Sequence, residues 1–586
     1  MLKKINYILS RKTKLKFLWI LVLMFPAAIL EALGMGIFIP LIAMITDPSV
    51  ILSNTILHQM YQIGRFQSEN VFIISSLIFV CVFFIIKNVY LYVIYDYQQK
   101  VIFQEQVKSS EKLFAIYMNE PYHLSIQTNS SILIKNTTSE VKKVFSQLIK
   151  SILLLITDIL IIISLLFVMF VVAPGPTLMM AVILGLYVIL FFRIFRKKIE
   201  TTALLMQSSH GQLIKWVQQG IGGMKQVTLT GRQDYFIEEF QKYAEQFAQT
   251  GRFNALILRI PRILIETLLI IIFTITLMFI FISSTDITSL FTVISLFVLA
   301  TIRILPSISR LMNAHTSIKK GLPSLDVVYD VFKHAEEQRI PYESQLSNES
   351  QLLNTRPYFT TSIEVKQASF RYVNSDKLAV NQVSLSIPIG KSVAIIGPSG
   401  SGKTTLMDMI LGLLEPIEGS VQVDGKDLKS IHHVWKHKVG YIPQFIYFTD
   451  DTIRRNIAFG IHDSQIDDEA IWRALDQSQI KEFVESLPGQ LDASMGEAGN
   501  RMSGGQRQRI GIARALYHDP EILFLDEATS SLDQATEIEV MKALNGLHGQ
   551  KTLIIITHRL SSIAHCDIKF EMKKGKLTEI NDIHVN

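Results

Sequence analysis

The chain has 586 residues, 49% of them hydrophobic and 18% charged, with a formal net charge of +6. That is too apolar for an ordinary soluble protein of this length, and a modest positive balance carried by basic loops beside apolar runs excludes nucleic acid as the expected partner. The two cysteines, Cys81 and Cys566, lie in different halves and exclude a disulfide framework or a cysteine metal cluster.

The N-terminus, MLKKINYILSRKTKLK, is basic, and no small-residue cleavage site follows its apolar run. It is expected to be a retained cytoplasmic lead-in to a first membrane helix. A spanning helix needs about 20 apolar residues. Six stretches qualify, at 17–45, 71–95, 148–173, 177–195, 255–283 and 288–312. Pro174 and Pro176 in VVAPGPT force a tight turn between the third and fourth. Lys and Arg crowd into 1–16, 96–147, 193–254 and 313–320, whereas 46–70, 174–176 and 284–287 carry only Arg65. The basic side is cytoplasmic, so both termini are expected inside, in a multi-pass protein of the cell inner membrane. Segments 96–147 and 196–254 read as helical extensions of the spans into the cytosol. Outside, Leu52, Ile56, Leu57, Met60 and Ile63 of 49–64 fall on one helical face, as in a helix lying in the interface.

Lys87 sits in the middle of LIFVCVFFIIKNVYLYV, and a cation there is costly. Counting from the outer face, Lys87 lies roughly 24 Å in, Arg303 about 21 Å and Arg262 about 30 Å. Cations of three spans thus gather in the inner half of the membrane, where an anionic head group would be collected. Glu31, Asp158 and Glu266 also lie within spans, and Glu266 is one turn from Arg262, close enough to pair with it.

Residues 321–361 are polar and mixed and read as a linker between a membrane domain over 1–320 and a nucleotide-binding domain over 362–586. In the latter, a β-rich SVAII precedes Gly397-x4-Gly402-Lys403-Thr404 and an apolar helix follows. This is a P-loop, Gly397, Pro398, Ser399, Gly400, Ser401, Gly402, Lys403, Thr404 and Thr405. Its backbone N–H groups meet phosphates at a helix N-terminus that already favours anions. Lys403 reaches the β and γ phosphates and the Thr404 hydroxyl takes Mg²⁺. ILFLDE (522–527) reads as a buried strand ending in Asp526, a second Mg²⁺ ligand, and Glu527, which polarises the attacking water.

RMSGGQRQR (501–509) resembles the signature of the ATP-binding-cassette family, and the order P-loop, YIPQ, MSGGQ, LFLDE, SSLD, ITHR resembles a cassette from end to end. The resemblance implies roles residue by residue. Tyr372 stacks on adenine. Gln444 senses Mg²⁺ and faces the membrane domain. Ser503, Gly504, Gly505 and Gln506 close on the ATP of a partner subunit, Asp533 crosses the dimer interface, and His558 contacts the γ phosphate. Met502 stands where leucine is commoner, and GEAGN replaces the usual cross-talk loop. Six spans ahead of one cassette resemble an exporter-type half-transporter, whose coupling helices would fall in PYHLSIQTNS (121–130) and TLTGRQDYF (228–236). The fold class expected is therefore an α-helical six-span membrane domain followed by a cytosolic α/β P-loop domain. Because the signature acts in trans, a homodimer binding ATP and Mg²⁺ is implied. IPRILIE (260–266), FVLATIRILPSISR (297–310), the outer helix and YIPQFIYF (441–448) are similar to the bacterial lipid-linked-oligosaccharide flippases. That implies a lipid-linked oligosaccharide or related pyrophosphate glycolipid as cargo, with Lys87, Arg262 and Arg303 toward it. Lysine at 87 stands where that pattern has arginine and cannot make a bidentate contact. An exporter of peptides, drugs or other lipids is the alternative, and an ATP-gated channel a third reading. No peptidase-like segment precedes the first span, which argues against a processing peptide exporter.

Overall fold

The computed structural model describes residues 1–126, 128–172, 174–283, 287–338, 359–372, 375–496, 499–528, 534–557, 563 and 566–580. The chain divides into two compact units, Met1–Glu120 with Gln127–Glu343, and Pro121–Ile126 with Ser344–Asn586.

The first unit is helical. Its long helices are α1 (Arg11–Gly36), α2 (Glu69–Asn119), α3 (Lys150–Val172), α4 (Pro174–Gly222), α5 (Gln233–Ser283) and α6 (Ile287–Glu337). Caps mark where they start: the Ser10 hydroxyl accepts from Thr13 N at 3.2 Å and the Ser68 hydroxyl from Val71 N at 3.4 Å. Among the described residues four stretches are long and apolar enough to cross a membrane, Arg11–Thr46, Glu69–Asn119, Ser130–Val171 and Thr177–Gly222. A 51-residue helix such as α2 is about 75 Å long, more than twice the ~30 Å hydrocarbon layer, so it continues well beyond it. Pro174 opens α4 rather than breaking a helix. In a first turn its missing N–H would have had no partner anyway.

Two expectations are corrected here. The segment 49–64 forms two short helices, Val50–Ser53 and Thr55–Ile63, the second capped by Asn54. Leu52, Ile56, Met60 and Ile63 are exposed, but Leu57 turns inward to join Leu41, Met44, Ile51, Phe72 and Val80. The expected linker is helical over its first part, because α6 runs to Glu337. Leu325, Val328, Phe332 and Ala335 are buried along one side of it, at the three-to-four-residue spacing of a packed helix face.

The second unit holds two sheets. Antiparallel β1 (Ser362–Phe370), β2 (Val380–Pro388), β4 (Glu418–Val423) and β5 (Lys426–Asp427) run in the order β2-β1-β4-β5. The larger sheet joins β3 (Ser392–Ile396), β6 (Val439–Ile442), β7 (Ile522–Asp526), β8 (Thr552–Ile556), β9 (Ile568–Lys573) and β10 (Lys576–Glu579) in the order β10-β9-β3-β8-β7-β6. Its inner strands are parallel. ILFLD and TLIII are buried at every position, the unbroken apolar run expected of strands covered on both faces. Trp435 is fully buried in the core between Phe359 and Phe524 and donates from Nε1 to Leu411 O at 3.2 Å. The six residues Pro121–Ile126 belong to this unit, with Tyr122 in electrostatic reach of Asp408 and Tyr372.

Candidate functional site

The P-loop connects β3 to α7 (Lys403–Ile410). Two of its glycines are required by space. A Cβ on Gly397 would lie 2.1 Å from Met572 O, and one on Gly402 2.2 Å from Ala379 O. Both also have positive φ, 147° and 106°, where a side chain is strained. Lys403 curls back over the loop, and its Nζ donates to Gly397 O at 2.8 Å and Pro398 O at 3.0 Å. These carbonyls hold the amine where a phosphate oxygen would replace them. Tyr372 places its hydroxyl 3.2 Å from Thr405 Oγ1 and its ring edge-on to Phe370 at 5.1 Å.

β7 lies one strand removed from β3, with β8 between them. This brings its C-terminal acids to the P-loop. Asp526 is pushed above the ordinary carboxylate range by burial and by the Glu527 charge, with Lys403 opposing. Lys403 is itself pushed down by burial, against the pull of Glu527 and Asp526. Glu527 has a left-handed φ of 47° and donates its N–H to Ile556 O at 2.9 Å. Gln444 Nε2 donates to Glu527 Oε2 at 2.9 Å. Lys403, Asp526, Glu527, Gln444, Tyr372 and Thr405 are thus gathered in one place. Asp408, four residues past Thr404 on α7, was not among the expected residues. Burial, with Asp526 nearby, pushes its carboxyl up to about 7. The signal available was its helical spacing from Thr404.

Ser503 caps α8 (Gly504–Leu516) in a capping box: its hydroxyl accepts from Gln506 N at 3.3 Å, and Gln506 Oε1 accepts from Ser503 N at 2.8 Å. Ser503 and Gly504 are exposed, and among the described residues Ser503 bonds only within its own turn. Met502 is buried in the hydrophobic core, a site where exchange with leucine keeps volume and costs little. Asp533 and His558 lie outside the described residues.

In the first unit, Lys87 and Arg303 come together on a third residue, Glu31. Lys87 Nζ lies 3.0 Å and Arg303 Nη1 3.5 Å from the same Glu31 Oε2. Both cations face the Phe84 ring, at 4.5 and 5.6 Å. The Lys87 side chain is only 2% exposed, against 41% for Arg303. Lys87 is thus enclosed and paired with Glu31, while Arg303 is the more open of the two cations. Arg262 and Glu266 are both exposed. Among the described residues the ion pairs of the spans are Lys87–Glu31, Arg303–Glu31 and Arg310–Asp158, not the Arg262–Glu266 pair that their spacing offered.

A helical, apolar first unit joined to a two-sheet P-loop ATPase with its own signature helix defines a membrane transporter driven by ATP. Residues 17–305 match the model of the ABC transporter transmembrane region, and residues 380–530 the ABC transporter model. An ATP-dependent lipid A-core flippase of Coxiella burnetii (strain RSA 493 / Nine Mile phase I) is 30% identical over 472 residues, 80% of this chain and 77% of that one. One of the same name from Desulfotalea psychrophila (strain LSv54 / DSM 12343) is 37% identical over 284 residues, and the match spans 47% of its length. The structure of a bacterial Atm1-family ABC exporter with ATP bound shares the fold, with a TM-score of 0.74 at 18% identity over 97% of this chain and 94% of that one. The chain belongs to the ABC transporter family. It binds ATP and couples its hydrolysis to transport.

Proposed function

We propose that two copies of this chain form a flippase that moves an anionic, phosphate-bearing glycolipid from the cytoplasmic to the outer leaflet of the inner membrane. A lipid A-type glycolipid, as the relatives' names carry, and a lipid-linked oligosaccharide share that head-group chemistry. The observation that carries the cargo reading is the Arg303 guanidinium, 41% exposed in an apolar span beside Lys87. A guanidinium facing lipid tails is costly, so this one faces a polar cavity and what enters it. Arg262, also exposed, lines the same inner half, and Lys87 stands behind Arg303 as a second charge. In this reading six helices span and both termini are cytoplasmic.

Lys403 holds the β and γ phosphates and Tyr372 stacks on the adenine. Thr404, Asp526 and Gln444 suit Mg²⁺: Asp526 is a buried carboxylate, and an oxygen-rich set fits a hard cation. The metal, when bound, neutralises charge developing on the phosphates. Glu527 orients and polarises the attacking water, and His558 contacts the γ phosphate. Ser503, Gly504, Gly505 and Gln506, at a helix N-terminus whose Ser503 and Gly504 are exposed, close on the partner's nucleotide, with Asp533 across the interface. Closure then pulls Pro121–Ile126, and the membrane half turns outward.

The test is reconstitution in liposomes with a fluorescent lipid A or a polyprenyl-pyrophosphate glycan. ATP-dependent arrival in the opposite leaflet, lost in Glu527→Gln, is expected. ATP turnover that moves neither lipid, while a neutral drug or peptide is carried, overturns the cargo assignment.

A further inference from the structure

Glu31 has no place in the transport reading so far, yet among the described residues it is the one acid that both Lys87 and Arg303 touch. We propose that Glu31 is the resident counter-ion of the cargo site: it occupies the two cations when the site is empty, and an incoming head group must displace it. It thereby sets how much negative charge the cargo must bring. The inference rests on the flippase reading above.

Both cations converge on a single oxygen, Oε2, at 3.0 and 3.5 Å. The partners differ in freedom. Lys87 is enclosed, whereas Arg303 is 41% exposed at the longer contact. Arg303 can swing from Glu31 to a ligand without opening the buried half of the cluster. Among the described residues the remaining ion pair of the spans is separate: Arg310 Nη2 lies 2.8 Å from Asp158 Oδ1. Lys87 and Arg303 against Glu31 leave one net positive charge per chain.

Charge counting then sets the selectivity. A zwitterionic head group gains nothing over the carboxylate already present. A monoanion offers the same charge as Glu31 but must shed its own water to compete. A head group with two or more negative charges, such as a bisphosphate or pyrophosphate, out-competes the single carboxylate. Neutralising Glu31 raises the net charge to two and removes the competitor, so monoanions become sufficient.

The experiment compares wild type, Glu31→Gln, Glu31→Asp and the double variant Glu31→Gln/Lys87→Met in phosphatidylcholine vesicles. Each is titrated with phosphatidylglycerol, a monoanion, or with bisphosphorylated lipid A, and stimulation of ATP turnover is read. Wild type is expected to respond to lipid A and not to phosphatidylglycerol. Glu31→Gln is expected to reach half-maximal stimulation at roughly tenfold less lipid A, equivalent to ~1.4 kcal/mol of removed competition, and to respond to phosphatidylglycerol. Glu31→Asp is expected to keep the wild-type preference. The double variant lacks the competitor too but keeps only Arg303, so it should still respond to phosphatidylglycerol, more weakly than Glu31→Gln, which keeps the test open if Glu31→Gln folds poorly. A Glu31→Gln titration that matches wild type or needs more lipid A overturns the counter-ion role, as does a double variant that stays deaf to phosphatidylglycerol. A wild type deaf to both lipids and also to a polyprenyl-pyrophosphate glycan overturns the flippase reading instead.

Discussion

Gln444 and Glu527, 83 residues apart, meet through a 2.9 Å hydrogen bond from the amide Nε2 to the carboxylate Oε2. The strand ends explain the meeting. β6 and β7 are parallel neighbours, with Ile442 opposite Leu525, so the residues just beyond them emerge side by side. The amide holds the carboxylate in a defined position, and the left-handed backbone at Glu527 turns it out of the strand direction.

Glu527→Gln should lower kcat by about 10²–10⁴-fold, the range for loss of a positioned acid–base group, while ATP binding persists. Gln444→Ala removes one hydrogen bond to a charged group, ~1.5–3 kcal/mol, and should slow turnover by roughly 10–100-fold. Steady-state phosphate release and nucleotide-binding titrations separate the two effects. Turnover in Glu527→Gln close to wild type would exclude this carboxylate as the water-polarising group.

The P-loop glycines should not be equivalent. Gly402→Ala drives a methyl to 2.2 Å from Ala379 O, whereas nothing lies within 4 Å of a Cβ at Gly400. Gly402→Ala is expected to abolish binding of a fluorescent ATP analogue. Gly400→Ala, strained only by its φ of 75°, should cost about 1–2 kcal/mol, a roughly 5–30-fold weaker affinity at most. Equal losses at the two positions would show that backbone conformation, rather than steric contact, decides.

The cassette was readable because its chemistry lies in short contiguous words. A P-loop between an apolar strand and a helix, or two acids closing ILFLDE, carries its context with it. The membrane half was readable as apolar length but not as pairing. Glu31 and Lys87 are 56 residues apart, and depth counting placed the cations without saying which carboxylate would face them. Leu57 fits the outer face of a helical wheel, yet the break at Asn54 turns it toward Met44 and Phe72. The polar composition after 320 hides the apolar spacing of Leu325, Val328 and Phe332, so a packed helix reads as a linker. For Asp408 the sequence offers only its helical spacing from Thr404, which gains meaning once its burial beside Asp526 is known.

Lys320 gives a pH-dependent prediction outside the spans. Burial pushes its amine down to about 8 from the usual 10.5. Between these values the unfolded chain binds more protons than the folded one, so Lys320 makes stability rise with pH from about 8 to about 10.5. Below pH 8 its full penalty is present. Lys320→Met should raise the Tm of the detergent-solubilised protein at pH 7 and matter progressively less toward pH 10.5. A gain in Tm that is the same at both ends of that range would show that packing, not the charge, is responsible.

Arg310 and Asp158 should be unequal partners. Asp158 is 2% exposed and Arg310 48%, and Arg310 reaches the same Oδ1 through Nε at 2.9 Å and Nη2 at 2.8 Å. Among the described residues Asp158 Oδ2 has no hydrogen-bond partner, so there the carboxylate depends on this one guanidinium. Arg310→Met leaves a buried anion unanswered and should cost ~3–5 kcal/mol. Asp158→Asn removes the buried charge and leaves a cation that can reach polar surroundings, so its cost should be about 1 kcal/mol. The double variant Arg310→Met/Asp158→Asn should recover most of the loss of Arg310→Met, because its damage comes from the stranded anion rather than from the missing contact. Denaturation of the four proteins in one detergent closes the cycle. If Arg310→Met is no less stable than Asp158→Asn, the carboxylate is not held by Arg310, and the polar path through these spans extends beyond the pair.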